Sequence, residues 1–354
     1  MTPRPGTERP GGRESLLGVA LAVLGGVGVA VQSRLNGTLA EHLGSGFAAA
    51  VVSFGSGLVV LALALALWPR SRAALRRVAS ALRASGRTHD DAPHAATPRL
   101  RWWECVGGAA GGFFVATQGL TVGRLGVAVF IVAIVAGQSV SSLVVDRLGL
   151  APGGVRPITV GRALGPALTV VAVLVSVGDR LGSASTLALA ALPVLAGAGS
   201  AWQQAVNGRV RAVASDAPGG FGPGVATATF LNFLVGTTVL VVALAVSLIV
   251  SGVPSGRFPA EPWLYAGGVV GIGFIGISAA VVHRIGVLLL SLGMIAGQIV
   301  GAVAIDAVTP GARPPGLSTY AGAGLTLVAV ALPALAQRRR GGAVRPRRRV
   351  TQRR

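Results

Sequence analysis

Long apolar runs separated by short polar gaps dominate the chain. A helix that crosses the hydrocarbon core of a bilayer needs about 20 mostly apolar residues. Ten stretches reach that length, at roughly 15–36, 44–67, 102–122, 126–146, 161–178, 185–206, 224–250, 262–282, 286–306 and 316–336. The first follows several Arg residues, as a secretory leader would. Its apolar core is long, however, and Gln32 and Asn36 stand where a small-residue cleavage site would be, so it reads as a retained helix. The pattern predicts an all-α integral membrane protein with ten transmembrane helices.

Charge changes the picture by giving the helices a direction. All 31 basic residues are Arg. Cytoplasmic segments retain positive charge. With the N-terminus inside, 26 Arg fall in inside segments and 5 in outside loops (Arg34, Arg124, Arg180, Arg257 and Arg313). Both termini are therefore expected in the cytoplasm. The longest inside gap holds "SRAALRRVASALRASGR", Ser71–Arg87, with Leu75, Val78, Ala79 and Leu82 at helical spacing. It reads either as an amphipathic helix on anionic lipid or as a basic linker. The Arg-rich tail is expected to hold the C-terminus inside and to touch lipid head groups.

Composition excludes other classes. Apolar residues make up 52% of the chain and charged residues 12%, about half the charge of an average soluble domain. The net charge of +20 does not indicate nucleic acid, because the Arg lie in gaps and a tail and aromatics are only 5%. A single cysteine, Cys105, permits no internal disulfide and no cysteine zinc site. No nucleotide loop, catalytic triad or metal-ligand cluster stands out, so neither an enzyme nor a cofactor is expected.

The chain repeats itself. Gln32, Asn36 and Gly37 align with Gln203, Asn207 and Gly208 at an offset of 171. Phe54 and Gly57 align with Phe233 and Gly236 at 179. A longer block aligns without a gap at 160: Trp103, Gly107, Gly108, Gly111, Arg124, Gly126, Ala136-Gly137-Gln138 and Asp146 meet Trp263, Gly267, Gly268, Gly271, Arg284, Gly286, Ala296-Gly297-Gln298 and Asp306. Each half holds five predicted helices. An odd number puts the second copy upside down, and the Arg bias of matching loops reverses accordingly. This organisation divides the chain into an N-terminal cytoplasmic arm (1–14), a first five-helix repeat (15–178, with the basic loop 68–101), a second, inverted repeat (179–336) and a basic cytoplasmic tail (337–354).

These residues resemble the drug/metabolite transporter superfamily, with an EamA-like fold, and within it a fused pair of YdcZ-type five-helix units. The resemblance is carried by Gln32, Asn36 and Gly37, by "SFGSG" (Ser53–Gly57), and above all by "RLGVAVFIVAIVAGQSVSSLVVDRLGL" (Arg124–Leu150). It covers about residues 15–336. The second copy departs from it at Asn232, opposite Ser53, and at Ala205, opposite Arg34. The resemblance implies a transporter of small metabolites or drug-like solutes in the bacterial inner membrane. The small multidrug exporters of that superfamily use a membrane-buried Glu for proton coupling, and no residue here matches it.

Amides buried in apolar runs are the candidate chemistry, since polar groups in hydrocarbon face the bundle interior or a wet cavity. Gln138 lies 12 residues into its helix, about 18 Å along it. Inversion brings Gln298 to a similar depth from the other side, so the two are expected to meet near the centre. Ser142, four residues on, shares the face of Gln138. Gln32 with Asn36, and Gln203 with Asn207, would form a matched amide pair at each mouth, and Asn232 is mid-helix. All eight are candidates for binding a small-molecule substrate; the competing reading is hydrogen bonding that only holds helices together. Asp146 and Asp306 end helices, where the dipole disfavours a carboxylate, so each is expected to have an Arg partner, Arg162 for Asp146. Glu104 reads as an interfacial carboxylate. The function expected is alternating-access transport. A channel, a lipid flippase, a non-transporting scaffold and a homodimer stay open.

Overall fold

The computed structural model describes residues 12–85, 100–150, 155, 157–177, 184–215, 222–309 and 316–341. Its elements are α1 (Gly12–Leu43), α2 (Gly46–Leu67), α3 (Pro69–Ser85), a 3-10 turn (Trp102–Cys105), α4 (Gly108–Leu125), α5 (Val127–Arg147), α6 (Val160–Val177), α7 (Ala184–Ala214), α8 (Pro223–Ser251), a second 3-10 turn (Pro262–Ala266), α9 (Gly267–Val308) and α10 (Leu317–Gly341). No strand occurs among the described residues. Five segments are long and apolar enough to cross a membrane: Leu16–Leu43, Gly46–Leu67, Trp102–Leu125, Val127–Arg147 and Pro223–Ser251. Four shorter apolar helical segments, within α6, at the start and the end of α9, and in α10, add to them.

The outward faces of α2 and α8 are apolar. Val59, Val60, Leu63 and Leu67 are exposed on one, and Val241, Val242, Val246, Ile249 and Val250 on the other. Patches of that extent are rare on soluble monomers and suit contact with lipid. The core instead gathers around α5, in which every residue from Val127 to Gly137 is buried. Phe130, Ile131 and Ile134 pack there against Val29 and Ala30 of α1, Ala172 of α6, Ala196 of α7, Ile299 and Ala302 of α9, and Ala323 of α10. A helix that is apolar all round must be surrounded in this way.

Chain direction follows from who meets whom. Gly107 lies against Asn207, and Gly111 against Gln203, so α4 runs antiparallel to α7. Leu125 and Val129 meet Ala190, while Val145 meets Ala201 and Ala205, so α5 runs parallel to α7. Gly126, at φ +81°, makes the break between α4 and α5 in a backbone region that side chains disfavour. Asn36 reaches Gln118 and Glu41 lies against Gly123, so α1 runs parallel to α4. Hence α1 and α7 point in opposite directions.

Where two helices were expected, at 262–282 and 286–306, one helical element, α9, spans 42 residues. The chain still doubles back. Ile277 and Met294 both lie against Gly25, within 3.9 Å of where its Cβ would stand. In a straight helix 17 residues would separate them by about 25 Å. The early part of α9 runs antiparallel to α1, with Gly267 near Asn36, and the late part parallel to it, with Gly293 near Ala22 and Gly301 near Ala30.

The basic gap forms α3. Its apolar positions Ala74, Val78 and Ala81 are buried on Val210 and Ala214 of α7 and Ala228 of α8. Its apolar face therefore packs on protein, whereas the sequence pattern alone allowed it to lie on lipid. Arg77 Nη1 donates to Ala214 O at 3.0 Å and so caps the end of α7. Arg72, Arg76 and Arg83 remain exposed.

Candidate functional site

The seam of α1, α4 and α9 holds one polar cluster. Gln118 Nε2 donates to Ser33 Oγ at 2.9 Å, and Ser33 donates to Val29 O one turn back at 2.9 Å. Asn36 Nδ2 donates to Gln118 Oε1 at 2.6 Å. Gln32 Nε2 donates to Gly267 O at 2.8 Å. All four side chains are buried, so each bond replaces a water bond that is lost in the interior.

The seam of α4, α7 and α8 holds the other. Asn232 Oδ1 accepts from Gln203 Nε2 at 2.7 Å and from Asn207 Nδ2 at 3.1 Å. Asn232 is buried and its two donors are half-buried. Between the clusters Phe54 and Phe233 stack, with ring centroids 4.7 Å apart and planes at 26°. Both clusters depend on glycines that let helices touch: a Cβ on Gly108 would overlap Asn232 O, and one on Gly268 would overlap Ser53 O.

Gln138 and Gln298 sit on matching seams. The Gln138 backbone passes against Gly197 of α7, and the Gln298 backbone against Gly26 of α1. Gln298 is buried and its Oε1 has no hydrogen-bond partner among the described residues. Gln138 is half-buried at the end of the buried stretch of α5. No hydrogen bond joins the two amides. Ser142 is exposed and donates to Ser139 O at 2.7 Å within its own helix.

The acids are placed more specifically than the sequence suggested. Asp146 does pair with Arg162. Among the described residues Asp306 does not take an Arg. Its carboxylate accepts from Val127 N at 3.0 Å and Ala128 N at 2.7 Å, capping the start of α5, where the helix dipole favours negative charge. Glu104 is 1% exposed and accepts from Arg101 N at 2.7 Å and Arg209 Nη1 at 2.5 Å. Arg209 also donates to Gly149 O at 3.1 Å and Leu150 O at 2.9 Å, past the end of α5. One guanidinium thus ties α7 to the turn before α4 and to the chain just past α5. Among the described residues no group of His, Cys, Asp and Glu could hold a metal.

Ser33 and Gln118 are not among the eight candidates of the sequence, because hydropathy does not show which polar residues face each other. A signal for Glu104 and Arg209 was present. At the repeat offsets their equivalents are Leu264 and Thr38, so each copy carries one charge that the other lacks, as partners across a seam between the copies would.

Two segments of the chain, residues 17–175 and 188–332, match the family described as "Putative inner membrane exporter, YdcZ". One lies in each half, in agreement with the resemblance carried by Arg124–Leu150 and with an arrangement in two units. No curated protein and no solved structure matches the chain.

Proposed function

This chain belongs to the YdcZ family, and from that premise we propose that it is a secondary transporter moving a small solute across the inner membrane by alternating access. The proposed frame is ten crossings in two inverted five-helix units, with both termini in the cytoplasm. In such folds the solute sits near the midplane between the units, and rocking of one against the other opens it to each side in turn.

One observation carries this reading: equivalent residues in the two halves make equivalent contacts, in helices of opposite direction. A Cβ on Gly137 would overlap Val194 O, and one on its equivalent Gly297 would overlap Val23 O, the equivalent of Val194. Gly197 meets Ile134 O and Gln138 N, and Gly26 meets Met294 O and Gln298 N. Gly57 lies on the Phe233 ring and Gly236 on the Phe54 ring. Opposed copies joined by shared seams are what rocking requires. The doubling back of α9 supports the tenth crossing, and the 26 to 5 division of Arg supports the orientation.

The proposed solute contacts are the amides: Gln298, whose Oε1 is buried without a partner, Gln138 on the matching seam, and the clusters of Gln32 with Asn36 and of Gln203, Asn207 and Asn232. They are uncharged, which favours a polar solute read by hydrogen bonds. Exposed Arg72, Arg76 and Arg83 of α3 are proposed to face anionic head groups at the cytoplasmic surface.

A metabolite uptake and efflux screen in cells overexpressing the chain tests transport. The expected result is a changed internal level of at least one small solute, abolished by Gln298→Leu with normal membrane insertion. A scaffold would show no such change. Topology is tested separately by reporters fused after Arg257, expected outside, and after Arg211, expected inside. The opposite readings would overturn the inverted arrangement.

A further inference from the structure

The two polar clusters are built from equivalent residues with one exchange. Gln203, Asn207 and Asn232 in the second copy correspond to Gln32, Asn36 and Ser53 in the first. In the second copy the Asn232 carboxamide joins the cluster by accepting from both neighbours. Serine carries a hydroxyl on the first side-chain carbon and does not extend as far. The consequences are visible at equivalent glycines. Next to the Gln203 amide, the place of a Cβ on Gly111 has Asn232 Nδ2 at 3.2 Å; next to the Gln32 amide, the place of a Cβ on Gly271 has the Phe233 ring at 3.6 Å. Gln32 and Asn36 have turned to other acceptors, Gly267 O and Gln118 Oε1.

Two oxygens are left over. Asn36 Oδ1 and Ser53 Oγ are both without a hydrogen-bond partner among the described residues, on side chains 0% and 1% exposed. They converge on one place, since a Cβ on Gly267 would meet both. Burying such atoms unpaired is costly, and native interiors rarely do it.

We infer that Asn36 Oδ1 and Ser53 Oγ form a binding site for one small, uncharged hydrogen-bond donor. The donor stands where the second copy has its carboxamide. It is a water molecule or a hydroxyl or amide group of the transported solute. An amide oxygen only accepts, so the ligand must donate. A cation does not suit the place, because Gly267 begins α9 and a helix start carries positive partial charge. The solute form of this inference rests on the transport reading above; the water form does not.

Two substitutions in the purified full-length chain test the site through thermal unfolding followed by Trp fluorescence. Ser53→Asn supplies the carboxamide that the second copy already accommodates and is expected to hold or raise Tm. Ser53→Ala deprives the bound donor of an acceptor and is expected to lower Tm by about 1–3 °C. An unchanged or higher Tm for Ser53→Ala overturns the site, since removing a truly unpaired hydroxyl costs nothing. The source of the donor is read by [14C]mannitol flux in proteoliposomes, mannitol being uncharged and rich in hydroxyls. Flux in the wild type that Ser53→Asn blocks assigns the site to solute. Absent or unaffected mannitol flux, with the Ser53→Ala loss in Tm, assigns it to water. If the metabolite screen finds no transported solute at all, the transport reading fails while the Tm result still decides the site.

Discussion

Arg209 donates to Glu104 at 2.5 Å, and their repeat equivalents, Thr38 and Leu264, hold no charge. The pair is also unequal in exposure: the Glu104 side chain is 1% exposed and that of Arg209 37%. Most of the energetic weight therefore lies on the carboxylate, which burial leaves dependent on its two donors. Glu104→Leu should destabilise the protein by about 1–3 kcal/mol, the range for leaving buried hydrogen-bond partners unmet, and less than a fully buried pair would cost because water reaches Arg209. The double variant Glu104→Leu/Arg209→Thr copies the equivalent pair, Leu264 and Thr38, and should recover part of that loss. Chemical unfolding of the purified chain measures both; a double variant no better than the sum of the singles would show that the pair is not coupled.

Asp306 caps α5 from α9, so its carboxylate joins the two halves by accepting from backbone N–H groups. Asp306→Ala should cost about 0.5–2 kcal/mol, as other helix caps do. Asp306→Asn keeps one acceptor and should lose less. The comparison of their unfolding midpoints checks the cap: equal losses would argue against it.

Close helix approach makes Gly137 and Gly297 a matched pair. Gly137→Val and Gly297→Val should each lower the yield of folded protein and reduce stability by at least about 1–3 kcal/mol, through overpacking of a backbone contact. Gly273→Ala is the control, since nothing lies within 4 Å of its Cβ position. Gel-filtration yield in detergent reads the effect. A tolerated Val at either glycine would contradict the seam.

Asn232 holds two half-buried amides, so Asn232→Leu should release Gln203 and Asn207 together. The expectation is normal insertion, judged by membrane-fraction abundance, with at least tenfold loss of flux for whichever solute the metabolite screen identifies. Asn232→Ser, the residue of the other copy, should retain more flux. Equal retention by both variants would mean that the cluster only fastens helices.

Much of this arrangement can be read from the sequence, for a physical reason. Hydrocarbon demands about 20 apolar residues per crossing, which makes helix positions legible in hydropathy. The offsets of 171, 179 and 160 pair residues whose contacts prove equivalent, such as Gly57 with Gly236. Asp146 takes Arg162 because a carboxylate at a helix end needs a cation or a donor. The same reasoning gave Asp306 an Arg, whereas the start of α5 supplies its donors from a distant part of the chain. Distance in sequence also concealed the link between Gln118 and Asn36. Spacing along a helix gives Ser142 a shared face with Gln138 but not whether a neighbour covers it, and Ser142 is exposed. At α9, Gly286 marks the expected break as Gly126 does in the first copy, yet only Gly126 separates two helical elements.

Phe54 and Phe233 are equivalent residues that touch each other. A residue placed so must be compatible with itself, and a stacked aromatic ring is, while a charge would repel its own copy. Their neighbours Ser53 and Asn232 are equivalent but unlike, and they have given the two clusters different chemistry. Two identical subunits encoded by one gene could never differ in this way, since every mutation would appear on both sides at once. One chain that carries both copies is free of that constraint, and the exchange beside the aromatic pair is one place where the two halves differ.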